Sequence, residues 1–179
     1  MKRQNNLQAV KFRVESLPKA FDSSSVAVRP ATAEDLTSVF GIEHASSSAA
    51  HWGHSEYERA LSSRERVFLV AEMPTGEAAN HKIVGFLVAW TATQEWELEN
   101  IAVSPVVRRC GIGRTLMNAL IQRARPSTAV EIRQEIRASN TAAHNLALSV
   151  GFLPEGERKA YYRDPPEDGR LFRYLFPKR

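Results

Sequence analysis

Apolar positions along the chain fall into short runs of two different periods. VAVRP at 26–30 predicts a short strand, and Thr32 with Asp35 three residues later has the spacing of a capping box ahead of an apolar stripe at Leu36, Val39 and Phe40, which predicts a first helix. A Ser- and Ala-rich linker broken by Gly53 precedes a second short helix over Ser55–Leu61, and the loop between the two helices reads as a lip for a substrate. RVFLVAEM and KIVGFLVAW then predict two strands paired antiparallel across PTGEAANH, whose Pro, Gly and Asn suit a hairpin connection. EWELENIAV follows as a fourth strand. After it, RRCGIGRTLMNALIQRARP is a glycine turn opening a helix with Leu116, Met117, Leu120, Ile121 and Ala124 on one face, stopped at Pro126.

VEIRQEIRA alternates Val130, Ile132, Gln134 and Ile136 with Glu131, Arg133, Glu135 and Arg137, the period of a strand with one buried face. NTAAHNLALSVGF predicts another helix, Leu146 and Val150 inward and Gly151 at its C-cap, before two closing strands, ERKAYYR and RLFRYLF, around the turn DPPEDG. The sum is an α/β domain, an α+β mixed sheet flanked by helices.

Composition narrows the class. With 179 residues, 43% hydrophobic and 25% charged, the chain suits one globular domain, read as residues 26–179 behind a polar, flexible extension at 1–25. One cysteine, Cys110, makes no disulfide framework and fits a reducing compartment, and neither a membrane span nor a secretory signal is visible, so the expected location is cytoplasmic. The net charge of +4 concentrates at the two ends and in Arg108–Arg125, and no aromatic residues interleave with it, which argues against a nucleic-acid partner. His44, His51, His54, His81 and His144 have no ligand spacing, and no metal is expected.

The chemistry concentrates in Arg108-Arg109-Cys110-Gly111-Ile112-Gly113-Arg114. Glycines between a strand and a helix allow close backbone approach, the new helix presents unpaired N–H groups and a positive dipole end, and three arginines surround it, a setting for phosphates. Leu116 stands where a dinucleotide fingerprint needs its third glycine, and no Gly-Lys-Ser/Thr follows, so the two common nucleotide motifs drop out.

ENIAVSPVVRRCGIGRTLM resembles the acyl-CoA signature of the GNAT N-acetyltransferases, and EIRASNTAAHNLALSVGF with ERKAYYRDPPEDGRLFRYL resembles their ribosomal-protein-alanine N-acetyltransferase subgroup. The resemblance implies a GNAT fold whose fourth and fifth strands splay to admit acetyl-CoA, and an amine acceptor, above all the α-amino group of a protein N-terminus such as a ribosomal protein's. It implies that Ile101, Ala102 and Val103 meet the pantetheine, that Arg108, Arg109, Cys110, Gly111, Ile112, Gly113 and Arg114 hold the pyrophosphate, and that Asn140 helps seat the cofactor. Glu135 matches the family's glutamate on the fifth strand and is the first choice of base, with Glu97 and Glu99 as fourth-strand candidates. Glu99 shares the side of Glu97 by simple alternation unless a bulge intervenes. Tyr161, Tyr162 and Trp52 are the candidate acceptor contacts. The family's acid tyrosine is replaced by Ala147, which leaves water, Tyr161 or Tyr162 to protonate the departing thiol, or else a poor catalyst. A small-molecule amine acetyltransferase and a non-catalytic acyl-CoA sensor are the rival readings.

Overall fold

The structure is a computed structural model of the chain and describes residues 25–46, 50, 52–75 and 80–177. The expected extension lies outside the described residues except for Ser25, as do 47–49 and 51 of the supposed lip. Strands β1 (Ala27–Pro30), β2 (Arg66–Pro74), β3 (His81–Trp90), β4 (Glu95–Val103), β5 (Glu131–Arg137), β6 (Leu153–Arg163) and β7 (Pro166–Leu175) form one sheet in the order β1-β2-β3-β4-β5-β7-β6. Helices α1 (Leu36–His44), α2 (His54–Ser62), α3 (Ile112–Ala124) and α4 (Thr141–Ser149) cover it.

The two faces carry separate cores. Leu87, Ala89, Leu98 and Ile132 pack with Leu116, Leu120 and Ala147 under α3 and α4. Phe86, Val88 and Ala102 pack with Val39, Ile42 and Tyr57 under α1 and α2. Burial on both faces explains why KIVGFLVAW reads as a continuous apolar run rather than an alternating one.

Local chemistry matches most predicted elements. The Thr32 N–H donates to Asp35 Oδ2 at 2.8 Å, and Arg29 grips the same carboxylate with bonds of 2.7 and 2.8 Å. The expected DPPEDG turn is shorter than its composition suggests, because Pro166 onward already belongs to β7. On α4 the fully inward residues are His144 and Ala147, while Leu146 and Val150 are half-buried at the flanks. Alternation also fails at the start of β5: Val130 precedes the strand and is exposed, whereas Glu131 is buried, its carboxylate paired with Arg133.

Two irregularities shape the centre of the sheet. In the β3–β4 pair, Val88 faces Asn100 and Ala89 faces Leu98, so Glu99 is the extra residue of a bulge. The parallel β4–β5 pair holds for three residues only, Glu95 with Glu131, Trp96 with Ile132 and Glu97 with Arg133. Beyond Glu97 the two strands part, which leaves the β5-facing edge of β4 from Leu98 to Val103 without a strand partner.

Candidate active site

The parting of β4 and β5 opens a slot through the middle of the sheet. Ile101, Ala102 and Val103 lie on its β4 lip, where backbone amides and carbonyls that a neighbouring strand would otherwise use face the opening. Ala102 is buried with its carbonyl against Gly85 of β3, so by the alternation of the strand it is Ile101 and Val103, and not Ala102, whose backbone groups turn to the opening.

At the α3/α4 side of the slot lies the glycine turn. Gly111 has φ of 81° and caps α3, and Arg109 before it has φ of 66°, so two left-handed residues turn the chain sharply into the helix. No side chain caps this helix, which leaves the N–H groups of its first turn at Ile112, Gly113 and Arg114 facing outward. Ile112 is buried and anchors the turn in the core. Gly113 is needed for packing: a Cβ there would come 2.9 Å from Leu146 Cδ2 of α4. Arg109 and Arg114 are exposed at the mouth, and Cys110 is half-buried with its Sγ 3.5 Å from the Arg108 carbonyl. Arg108 already serves the protein, donating to Val103 O at 3.2 Å and to Ser46 Oγ at 3.0 Å, so it ties the end of β4 to the end of α1. Asn140 caps α4 by accepting the Ala143 N–H at 3.1 Å.

On the opposite face of the slot the carboxylates meet. Ile132 and Ile136 point into the α3/α4 core, so Glu135 points the other way, beside Glu97 of β4. Glu99 is spoken for: Arg66 of β2 donates to it twice, at 2.8 and 2.9 Å. Glu97 has no hydrogen bond or ion pair among the described residues. Its carboxyl is held above its ordinary value, first by the walls that strip water from it and then by the charges of Glu135 and Glu99.

Strand β6 supplies the third wall. Glu135 pairs with Arg158 at 3.0 Å, and its backbone carbonyl accepts the Tyr162 hydroxyl at 3.1 Å. Tyr161 stands edge-on to Tyr162 with ring centroids 5.0 Å apart, and Arg137 lies 4.2 Å above the Tyr162 ring. Burial and the neighbouring Tyr161 push the Tyr162 hydroxyl up to about 12; burial, Glu135 and Glu97 also raise Tyr161. Trp52 sits on the α2 side, packed 5.4 Å from Tyr57, with its N–H of the backbone donating to Glu43 at 2.8 Å.

The candidate residues thus sort into three groups: the slot lip and glycine turn on one face, Glu97 and Glu135 with Tyr161 and Tyr162 on the other, and Trp52 against the α1/α2 core. Glu99 and Arg108 are engaged elsewhere in the protein. Two features escape the sequence reading. One is Arg158, which reads as part of a solvated charge run. The other is a buried network in which Glu43 accepts from Tyr57 at 2.6 Å and from Asn100 at 3.2 Å, holding α1, α2 and β4 together.

The sequence profile described as the acetyltransferase (GNAT) family matches residues 32–152. The chain belongs to the GNAT family. It is an N-acetyltransferase with the mixed sheet of that family, as the resemblance implies. A GNAT protein of Bacillus subtilis (strain 168), assigned by name to alanine N-acetylation of ribosomal protein bS18, is 29% identical over 148 residues, 83% of this chain and 94% of its own length. The [ribosomal protein bS18]-alanine N-acetyltransferase of Escherichia coli (strain K12) is 38% identical over 91 residues, covering 51% of this chain and 60% of the other. The crystal structure of the ribosomal-protein-S18-alanine N-acetyltransferase from Escherichia coli superposes with a TM-score of 0.73 at 25% identity, over 86% of this chain and 96% of that one.

Proposed function

We propose that this GNAT enzyme transfers the acetyl group of acetyl-CoA to the α-amino group of a protein N-terminus, with a small ribosomal protein as the acceptor. The parting of β4 and β5, with an uncapped helix start on one face and two carboxylates on the other, is the observation that carries this reading. It separates a phosphate-binding end from a proton-accepting end by the thickness of a sheet, the layout a thioester and an amine need to meet. The names of the relatives support the choice of acceptor.

In this reading the edge amides of Ile101 and Val103 and the Ile101 carbonyl pair with the pantetheine, and the N–H groups of Ile112, Gly113 and Arg114 with Arg109 hold the pyrophosphate. Bound there, acetyl-CoA supplies the activated acyl group. Glu135 takes a proton from the acceptor ammonium, directly or through water, freeing the nitrogen lone pair for the carbonyl carbon. An α-amine has a reference pKa of about 7.7–8.0, so this proton is given up far more readily than a lysine's at about 10.4. Glu97 stands beside Glu135, its carboxyl raised above its ordinary value by burial and then by the charges of Glu135 and Glu99.

The leaving sulfur needs a proton that Ala147, a fully buried methyl group, cannot give. Tyr162 is committed to the Glu135 carbonyl and shielded by Arg137, which leaves water or Tyr161 for that step. A thiol with a reference pKa of about 8.5 leaves without obligatory assistance. Both acetyl-CoA and a ribosomal acceptor assign the protein to the cytoplasm.

The test is acetylation of pooled peptides with free N-termini or internal lysines, read by mass spectrometry, with acetyl-CoA binding measured on the same preparation. Transfer to α-amines supports the reading. Transfer only to small amines moves the acceptor class, and binding without transfer to any amine overturns the catalytic reading.

A further inference from the structure

β6 departs from regular pairing where it crosses the carboxylates. Arg158 faces Gly169 and Tyr162 faces Glu167, so three residues of β6 stand opposite Asp168 alone. The excursion is pinned: Ala160 adopts φ of 51°, its N–H donates to Asp168 Oδ1 at 2.8 Å, and Lys159 bonds Asp168 Oδ2 at 2.8 Å. A non-glycine residue at positive φ sets its Cβ against its own backbone, so this conformation is maintained against its own preference. In a regular strand Arg158 and Tyr161 would point to opposite faces. Here both reach the same place, Arg158 3.0 Å from the Glu135 carboxylate and 5.6 Å from the Tyr161 ring.

We propose that Arg158 is the resting counter-ion of Glu135, occupying the seat that the acceptor's ammonium takes on binding. This inference rests on the reading of Glu135 as the base. The argument is one of charge. Glu135 is only 16% exposed and stands beside Glu97, and a carboxylate so placed needs a cation within reach. The other cations nearby are engaged: Arg66 with Glu99, Arg133 with Glu95 and Glu131, Arg137 with Glu167 and the β6–β7 turn, and Lys159 with Asp168. Arg158 itself is 55% exposed, on a long flexible stem, and leaves at small cost. An ammonium arriving at Glu135 presents the same charge to the same oxygen, so the two exclude each other. Displacing the guanidinium keeps the site electrically balanced until the proton moves from nitrogen to carboxylate. A neutral amide or hydroxyl has no charge with which to replace it, so the exchange selects for cationic acceptors.

The titratable and charged groups set against Glu135 are Glu97 from β4, Arg133 and Arg137 two positions away on its own strand, and Arg158, Tyr161 and Tyr162 from β6. The test uses Arg158→Met and Arg158→Lys in the full chain. At fixed neutral pH without acetyl-CoA, the Glu135 carboxyl carbon NMR resonance should be displaced in Arg158→Met and stay near wild type in Arg158→Lys. With acetyl-CoA and an α-amine acceptor, Arg158→Met should lower KM about two- to five-fold, since a competitor has been removed. An unmoved Glu135 resonance in Arg158→Met, or a raised acceptor KM, overturns the proposal. A displaced resonance with no transfer to any amine would uphold the counter-ion and sink the acetyltransfer reading instead.

Discussion

Arg66 holds Glu99 with two hydrogen bonds from a neighbouring strand but one, and that pairing decides which β4 carboxylate is available to the reaction. Glu97 is left facing Glu135. Substitution should therefore separate three acids that look alike in sequence. Glu135→Gln should lower kcat by about 10²–10⁴-fold with acetyl-CoA affinity unchanged, the range of a lost general base. Glu97→Gln should cost less and reshape the acid side of the pH profile, because it removes the carboxyl whose pKa is raised beside Glu135. Glu99→Gln should leave kcat within a few-fold and lower stability by about 1–2 kcal/mol through Arg66. Steady-state kinetics beside a denaturation curve checks all three, and a Glu99→Gln enzyme as crippled as Glu135→Gln would refute the division.

Glu97 and Asp35 should pull stability in opposite directions as pH changes. Water-stripping walls and two like charges raise the Glu97 carboxyl, so the folded protein binds this proton more tightly than the unfolded chain. Its contribution is full below the unfolded carboxyl value of about 4.3 and is lost as pH climbs through the raised folded value. For Asp35, burial opposes the charge, but the bonds from Arg29 and Thr32 outweigh it and lower the pKa. Stability from that group is present above the unfolded value of about 3.9 and is lost as pH falls through the depressed folded value. Thermal melts across pH should show Glu97→Gln gaining on wild type toward neutrality. Asp35→Asn should lose roughly 1–3 kcal/mol at neutral pH and converge with wild type in strong acid. A neutral-pH loss in Glu97→Gln would mean the carboxylate has a favourable partner after all.

Gly113 sets how closely α3 approaches α4. Because a Cβ there meets the far end of the Leu146 side chain, alanine is tolerated by rotation of that leucine, while valine forces the helices apart. Gly113→Val should weaken acetyl-CoA binding by about ten-fold or more, by displacing the helix start that faces the slot. Leu146→Ala in the same chain should recover part of that loss, a coupling that distant sites do not show. Calorimetric titration of the four variants gives the cycle directly, and strict additivity would remove the steric explanation.

Periodicity made the element order legible, because most of β1 to β5 and α3 carry their burial in their spacing. The active-site end was only half legible. A motif singles out Glu135, yet the contacts of the motif's other residues depend on a turn almost 30 positions away: Arg137 donates to the carbonyls of Asp164 and Pro165, and the Ser139 N–H donates to Glu167. The bulge at Glu99 breaks an alternation that nothing local contradicts. The same holds at Glu131, a carboxylate buried because Arg133 two residues on pairs with it. Arg158 sits among Glu157 and Lys159, and a run of charges says surface; only the excursion of β6 turns it onto Glu135.

The Glu43 network was invisible for a different reason, and it carries the last prediction. Glu43, Tyr57 and Asn100 come from three elements, and each alone reads as a surface residue or a packing aromatic. Together they converge on one oxygen: Tyr57 donates to Glu43 Oε1 at 2.6 Å, Asn100 donates to it at 3.2 Å and to the Tyr57 oxygen at 3.0 Å, and the Trp52 N–H donates to the same Oε1 at 2.8 Å. Burial and the adjacent Glu43 charge push the Tyr57 hydroxyl far above its ordinary value, so it stays a donor at any working pH. Tyr57→Phe keeps the ring packed between Phe68 and Phe86 and deletes only the oxygen. That strands part of the bonding of a buried carboxylate, a loss of about 1–3 kcal/mol. Since Glu43 also holds the backbone at Trp52, acceptor KM should rise while acetyl-CoA affinity, set on the other face of the sheet, stays the same. A Tyr57→Phe protein with wild-type stability and wild-type KM would show that the network neither supports the fold nor positions the acceptor wall.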